Sequence, residues 1–404
     1  MSGPEFTQGA PPKLEADLNV LALNSGSSSL KFSLYRAAES EAEMLLSGEI
    51  ETIGAVEGKF HARDANGKLL LSETGAVPDQ GHAIYRIARL IADHKMPSPA
   101  AIGHRVVHGG PELRQHCRVD DKAFKRLNAA TPFAPLHIPQ ALSLIRAAQE
   151  QFPKLPQVAC FDTTFHVDLP DISRTLPIAS ELRAQGIQRY GFHGLSCGSI
   201  VRQLGGDLPR RLIIAHLGNG ASITAIRDGQ SIDTSMGLTP SGGVIMGTRS
   251  GDLDPGVLVY LAKEKNFDTA MLEDLVDHRS GLMGISDITS DMRLLHEAAR
   301  SNSDAGLAIR MFCYSVRKQI AGMISALDGV DLIVFTGGIG ENDCAVRAEI
   351  CGGLLWMGIS FDDTRNLATI NPISDSSSRC RVLVLPSQED EQIARHTWSV
   401  LAGD

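Results

Sequence analysis

The chain lacks most of the features that announce a function early. It has no run of lysine and arginine, and its net charge is −9. Neither nucleic acid nor an anionic membrane is therefore expected as a partner. No apolar stretch is long enough to span a bilayer. The first residues, MSGPEFTQGAPPKLEADL, lack the basic start and apolar segment of a secretory signal. Residues 1–17 read as a loose tail on a cytoplasmic protein. The seven cysteines, at 117, 160, 197, 313, 344, 351 and 380, contain no CxxC pair. An odd, scattered set suits reduced thiols and argues against a disulfide framework or a zinc site. There is no HExxH, so a zinc protease is not indicated. No Pro/Ser-rich linker separates two halves, which predicts closely packed domains.

What is present is an ordinary globular composition. The 404 residues are 43% hydrophobic and 21% charged, enough for roughly two or three domains with real cores. Leu18–Leu23 is an apolar run, followed by Asn24-Ser-Gly-Ser-Ser-Ser29 and the alternating Leu30–Tyr35. The same order recurs at 212–226: apolar run, His216, Gly218-Asn219-Gly220, alternating strand. Strand, small-residue turn, strand is not the strand, turn, helix order of a P-loop. The recurrence predicts duplicated halves. Hairpins are expected over 45–71, a helical stripe at Ile84, Ile87, Ala88 and Ile91, and strands at 101–107, 157–161, 331–335 and 381–385. Pro139 opens a helix. Residues 305–327 form a long helix apolar around much of its surface, either deeply buried or at an oligomer interface.

Polar residues just past strand ends are the informative ones, because ligands of α/β sheets collect there. They are Asn24 with Ser27, Ser29 and Lys31; Arg105 and His108; Asp162; His216 with Gly218 to Gly220; Gly337 to Glu341; and Glu389. His193 and Arg249 lie in small-residue loops. Each alone has an ordinary structural explanation: the serines as turn formers, Asp162 as a helix N-cap, Glu389 as a helix-start acid. Together, Gly-rich turns, a few acids for a hard cation, and arginines with a histidine suit phosphoryl transfer. That chemistry needs positioning and positive charge more than covalent catalysis.

The ordered stretches NSGSSSLKFSLY, GHRVVHGG, APLHIP, FDTTFH, RYGFHG, HLGNGAS, DTSMGLTP, MGTRSGDLDPG and FTGGIGEN resemble the motif set of the acetate kinases. These belong to the wider acetate and sugar kinase, heat-shock-protein and actin superfamily. The resemblance implies an α/β fold of two ribonuclease-H-like (actin-like ATPase) domains with an active-site cleft between them, and a homodimer. Residues 18–162, completed by a helix at 391–404, would form the N-terminal domain. Residues 163–390 would form the C-terminal domain with the nucleotide site and dimer interface.

It further implies reversible phosphoryl transfer from ATP to acetate, giving ADP and acetyl phosphate, with Mg²⁺ (or Mn²⁺). Carried over motif by motif, Arg105 and Arg249 would hold the carboxylate and the γ-phosphoryl group. His193 would bond the transferring group, with His137 near it. Asp162 would position the metal or the nucleophile. Val107, Leu136, Phe192 and Pro240 would wall a methyl pocket. Ser27, Ser29 and Lys31 would line the first phosphate hairpin, and His216, Leu217, Gly218, Asn219 and Gly220 would cradle the ATP phosphates. Asp291, Met292 and Arg293 with Gly337, Gly338, Ile339, Gly340 and Glu341 would bind the nucleoside. Asn24 and Glu389 would face the metal. A propionate-preferring kinase of the same fold is the near alternative, and a non-catalytic actin-like nucleotide-binding protein the more distant one. The chain departs from the family pattern at FHGLSC (family FHGTSH), TPSGG (family TPLEG) and SQEDE (family TNEE).

Overall fold

The computed structural model describes residues 17–26 and 29–403. The expected tail, apart from Asp17, and the expected contact at Ser27 lie outside the described residues. The chain divides into two compact units, Met1–Phe161 with Glu389–Asp404, and Asp162–Gln388.

The first unit is built on one sheet. Its strands are β1 (Leu18–Ser25), β2 (Leu30–Ala37), β3 (Ala42–Glu51), β4 (Gly58–Asp64), β5 (Leu69–Gly75), β6 (Ala101–Val106), β7 (Cys117–Arg118) and β8 (Gln157–Phe161). The spatial order is β5-β4-β3-β2-β1-β6-β8-β7. β1 to β5 form an antiparallel meander, β6 and β8 run parallel to β1, and β7 returns antiparallel. The centre of β1 is buried from Val20 to Asn24. An unbroken apolar run is what a central strand covered on both faces requires. Helices Gln80–Asp93 and Ile138–Gln151 press Ile84, Ile87, Leu144 and Ala148 into one core with Leu21, Leu34 and Ile102. The expected stripe on the first helix is its buried face, and Pro139 sits in the first turn of the second. The C-terminal helix, Glu389–Gly403, covers the other face: a Cβ on Gly103 would strike Thr397 and Ile393.

The second unit holds β9 (Arg211–Leu217), β10 (Ala221–Arg227), β11 (Gln230–Thr234), β12 (Leu332–Thr336) and β13 (Arg381–Val384), in the order β11-β10-β9-β12-β13. β9, β10 and β11 are antiparallel, while β12 and β13 run parallel to β9. The first sheet contains the same run as β3-β2-β1-β6-β8. The predicted duplication is therefore a duplication of topology: a three-strand meander followed by two parallel strands, the arrangement expected of ribonuclease-H-like domains. Helix Gly194–Leu204 packs Cys197, Ile200 and Leu204 against Leu212, Ile214 and Val334. The long helix runs from Ser303 to Ala326. It buries Phe312, Val316, Ile320 and Ile324, while Tyr314 stays 54% exposed. Among the described residues, no helix is long and apolar enough to cross a membrane.

Two local expectations change. The Gly-rich segment after β12 is a short helix, Gly337–Asn342, rather than an open turn. Gly337 takes φ +79, and a Cβ there would press on the backbone of Leu217. The Glu341 carboxylate then accepts the Gly337 N–H at 2.9 Å, so the helix closes on itself despite poor glycine propensity. The terminal helix begins at Glu389 instead of 391.

Candidate active site

In the first unit the expected residues meet at the carboxyl end of β1. Asn24 is buried, and its Nδ2 donates to Glu389 Oε2 at 3.0 Å and to Asp390 Oδ1 at 3.1 Å. Arg105 on β6 donates through Nη1 to Asn24 Oδ1 at 3.3 Å. Ser33 on β2 donates to the other oxygen of Asp390 at 2.8 Å. Asp390, which the sequence reading passed over, therefore shares Asn24 with Glu389. Burial pushes the Asp390 carboxyl above its ordinary value, and Glu389 adds to the rise; Asn24, Ser33 and Lys31 act against it. Lys31 is the register partner of Asn24. Ser29 closes the turn before it, its carbonyl accepting the Gly26 N–H at 2.8 Å.

Two adjacent carboxylates offer the hard oxygen donors that Mg²⁺ prefers, and a cation beside them would favour ionisation of the buried Asp390 against the effect of its burial. Asn24 is committed to orienting them. Among the described residues, no cluster of three or more His, Cys, Asp or Glu side chains could hold a metal by itself. A cation there would need water or phosphate to complete its shell.

Past β6, Val107 and His108 are buried, and the His108 Nδ1 accepts the Gly110 N–H at 2.8 Å. Leu136 and His137 are half-buried before helix Ile138–Gln151, and His137 makes no side-chain cap bond.

In the second unit Asp162 is fully buried. Its backbone carbonyl accepts the Gly194 N–H at 2.9 Å. A Cβ on Gly194 would overlap that carbonyl, which is why the RYGFHG segment ends in glycine. The residue before the next turn, Thr164–His166, is Thr163, so Asp162 does not cap it as the sequence alone allowed. Phe192 is held through its carbonyl by His166 Nε2 at 2.9 Å.

His193 has left-handed backbone, φ 57, at the start of helix Gly194–Leu204. Its ring stacks on that of His216 with centroids 4.1 Å apart. Each ring meets a serine at Nδ1: Ser222 for His193 at 2.9 Å, Ser196 for His216 at 2.8 Å. The turn between β9 and β10 closes with Gly218 N–H donating to Gly220 at 2.9 Å. A Cβ on Gly220 would stand 3.2 Å from His193 Nε2 and 3.5 Å from Arg249 Nη2. Histidine, arginine and the glycine turn thus converge on one spot. Arg249 is aimed by the Pro240 carbonyl, which accepts from Nη1 at 2.8 Å. Asn219 accepts the Gly247 N–H at 3.1 Å through its carbonyl, tying the turn to the arginine loop.

Backbone N–H groups, a guanidinium fork and an imidazole beside a turn that carries no side chain can bind a tetrahedral oxyanion. This grouping is the second unit's candidate site. The profile of the acetokinase family matches residues 19–395.

The chain belongs to the acetokinase family.

This family member is 40% identical over 398 residues to an acetate kinase of Methylocella silvestris, covering 95% of this chain and 98% of the relative. Its fold is similar to that of a propionate kinase from Francisella tularensis, with a TM-score of 0.87 and 34% identity over 95% of this chain and all of that one (100%). It is also similar to the acetate kinase of Porphyromonas gingivalis, with a TM-score of 0.83 and 33% identity over 96% and 100% of the two chains. The motif resemblance and the two-domain fold expectation hold.

The remaining expected residues of this acetokinase lie in the second unit. Asp291 caps helix Met292–Ala298 and grips Arg293 at Nε (3.0 Å) and Nη2 (2.6 Å); that grip holds the Asp291 carboxyl below its usual range. Gly338 has open space where a Cβ would stand. Cys197, at the departure from the family's FHGTSH, is buried in the core with its thiol directed to Thr224 at 3.8 Å. Behind the 337–342 helix stands Arg347, 1% exposed. It donates to the Gly340 and Glu341 carbonyls at 3.0 and 2.9 Å and to Asn366 Oδ1 and O at 2.8 Å. Arg347 did not stand out in the sequence, because a buried arginine carries no local signal; Ser196 lay within the FHGLSC stretch with no role assigned to it.

Proposed function

We propose that this chain transfers the γ-phosphoryl group of ATP to the carboxylate of acetate, reversibly, giving ADP and acetyl phosphate. The grouping of His193, His216 and Arg249 around Gly220 carries the reading, in a member of the acetokinase family. Acetate is already ionised at pH 7, so no strong base is required. Its oxygen attacks the γ-phosphorus while charge spreads over the equatorial oxygens. Arg249 and His193 donate to those oxygens, and the glycine turn from His216 to Gly220 presents to the phosphate chain the N–H groups it does not use internally. Arg105 holds the carboxylate, with His137 near the transferring group. Asp162 orients the metal or the nucleophile. Val107, Leu136, Phe192 and Pro240 wall the methyl pocket. Ser29 and Lys31 line the first phosphate hairpin. Asp291 to Arg293 and Gly337 to Glu341 receive the nucleoside. Glu389 and Asp390, oriented by Asn24, would hold Mg²⁺, which neutralises phosphate charge when bound.

We further assign a homodimer and a cytoplasmic setting. Exposed apolar side chains on the second unit, Val259 and Tyr260 at 53% and Tyr314 at 54%, support an association surface. Light scattering at micromolar concentration reads out the dimer.

The test of the reaction is incubation with MgATP, acetate and hydroxylamine, followed by detection of acyl hydroxamate, then the same with propionate, butyrate and a sugar. Absence of hydroxamate with every carboxylate would refute the proposal. A propionate preference is the second reading, favoured by the likeness to the Francisella propionate kinase.

A further inference from the structure

The stacked histidines are connected to the segment that follows β13. Ser387 Oγ donates to Ser196 Oγ at 3.1 Å, and Ser196 Oγ lies 2.8 Å from His216 Nδ1. Ser196 is fully buried. Its oxygen accepts from Ser387, and its own hydroxyl hydrogen lies within reach of His216 Nδ1, the arrangement in which the bonds run one way along the chain. A ring nitrogen that accepts carries no proton, so the proton of the neutral imidazole belongs on Nε2. That nitrogen faces the turn: a Cβ on Gly218 would stand 3.9 Å from it.

The far end of the chain of bonds is also fixed. The Ser387 N–H donates to Glu341 Oε1 at 2.8 Å, and the same oxygen accepts the Gly337 N–H at 2.9 Å. The Gln388 N–H donates to Ser199 Oγ at 3.2 Å, one helical turn beyond Ser196. Glu341 thus uses one carboxylate oxygen on two backbone N–H groups.

We propose that Ser387 and Ser196 are positioning residues forming a one-way hydroxyl relay. The relay locks His216 as the Nε2–H tautomer, so that it donates a hydrogen bond to a nucleotide phosphate. The relay joins the 337–342 helix to the phosphate turn, coupling two segments assigned to one nucleotide. It rests on the reading of His216 as a phosphate-side residue.

The experiment compares the full chain with Ser387→Ala, Ser387→Thr and Ser196→Ala, using MgATP and acetate turnover together with histidine heteronuclear NMR. His216 is assigned by its disappearance in His216→Gln. Ser387 is half-buried and its alanine variant should fold, which covers the case of a Ser196→Ala variant that does not. The expected result is an Nε2–H signature for His216 in the parent chain and a tautomer mixture in Ser387→Ala. Turnover should fall about tenfold, the scale of one charge-assisted bond, with KM for ATP changed less than about twofold and threonine restoring both readouts. A proton on Nδ1 in the parent chain overturns the relay, as does an unchanged tautomer in Ser387→Ala. A changed tautomer with unchanged turnover, in this variant and in His216→Gln, leaves the relay standing and removes His216 from the phosphate.

Discussion

Acid should destabilise this protein through its buried histidines, and His166 gives the cleanest measure. It is 2% exposed, bonded at Nδ1 to Ser231 Oγ (2.8 Å) and at Nε2 to the Phe192 carbonyl (2.9 Å). A carbonyl only accepts, so Nε2 carries the proton and Nδ1 accepts from the serine. A second proton has no place. Burial lowers the His166 pKa to about 4 from 6.5, against the opposing bond to Phe192. The folded pKa is thus depressed. The unfolded chain takes up its proton as pH falls through 6.5, while the native state does not until near 4. Between these values the unfolded state binds more protons, so stability rises with pH and is lost on acidification. From pH 8 to pH 5, one such group costs about 2 kcal/mol.

The variant His166→Asn binds no proton at this position in either state. Whatever constant cost it carries, its stability difference from the parent should shrink by about 2 kcal/mol between those two pH values. Urea unfolding midpoints at both pH values, taken with the m-values, supply the four numbers. A difference that stays constant to within about 0.5 kcal/mol, the usual reach of additivity, would refute the placement of a neutral ring. So would a His166 titration near its unperturbed value in NMR.

Other perturbations have equally direct readouts. Arg249→Ala should lower kcat by about a thousandfold, the low end for transition-state arginines; near-normal turnover removes Arg249 from the phosphoryl group. Val107→Ala should move the kcat/KM ratio toward propionate by about tenfold, the scale of discrimination that the substrate's one extra methylene carries; unchanged selectivity places the methyl pocket elsewhere. Gly194→Ala forces a methyl onto the Asp162 carbonyl and should cost about 1–3 kcal/mol in a denaturant titration, with turnover falling alongside. Arg347→Met strands the Gly340, Glu341 and Asn366 oxygens and should cost at least about 3 kcal/mol. An unchanged unfolding midpoint would contradict the burial of that guanidinium.

The strand-turn-strand recurrence was legible because period-two alternation and small-residue turns are local signals. The apolar runs of β1, β6, β8, β9 and β12 were legible for the same reason. Sequence also brought out Asn24, Arg105 and Glu389, which the structure joins across the first sheet. It passed over Asp390 because two adjacent acids at a helix start look alike until one is seen to bond Ser33. It misread Gly337–Asn342 as a turn because glycine propensity is a weak prior that the Glu341 bond and packing on Leu217 override. The bonds of Ser196, Ser387 and Arg347 were invisible for a general reason. Their partners are far away in the chain, and a buried hydrogen bond leaves no period.

The order in which the chain leaves the ribosome has a consequence for the first unit. Gly103, Asn24 and Ser33 all wait for partners in the helix Glu389–Gly403, and every residue of the second unit is synthesised before that helix. The second unit can condense on its own sequence while the first remains a sheet with one bare face. The two acids proposed for the metal are therefore placed after every residue of the second unit has been made. A chain stalled before residue 389 would hold the histidines and Arg249 of the phosphate turn and lack these acids. The proposed metal side of the reaction is in this way assembled only after residues 389 and 390 have been made, later than the phosphate turn.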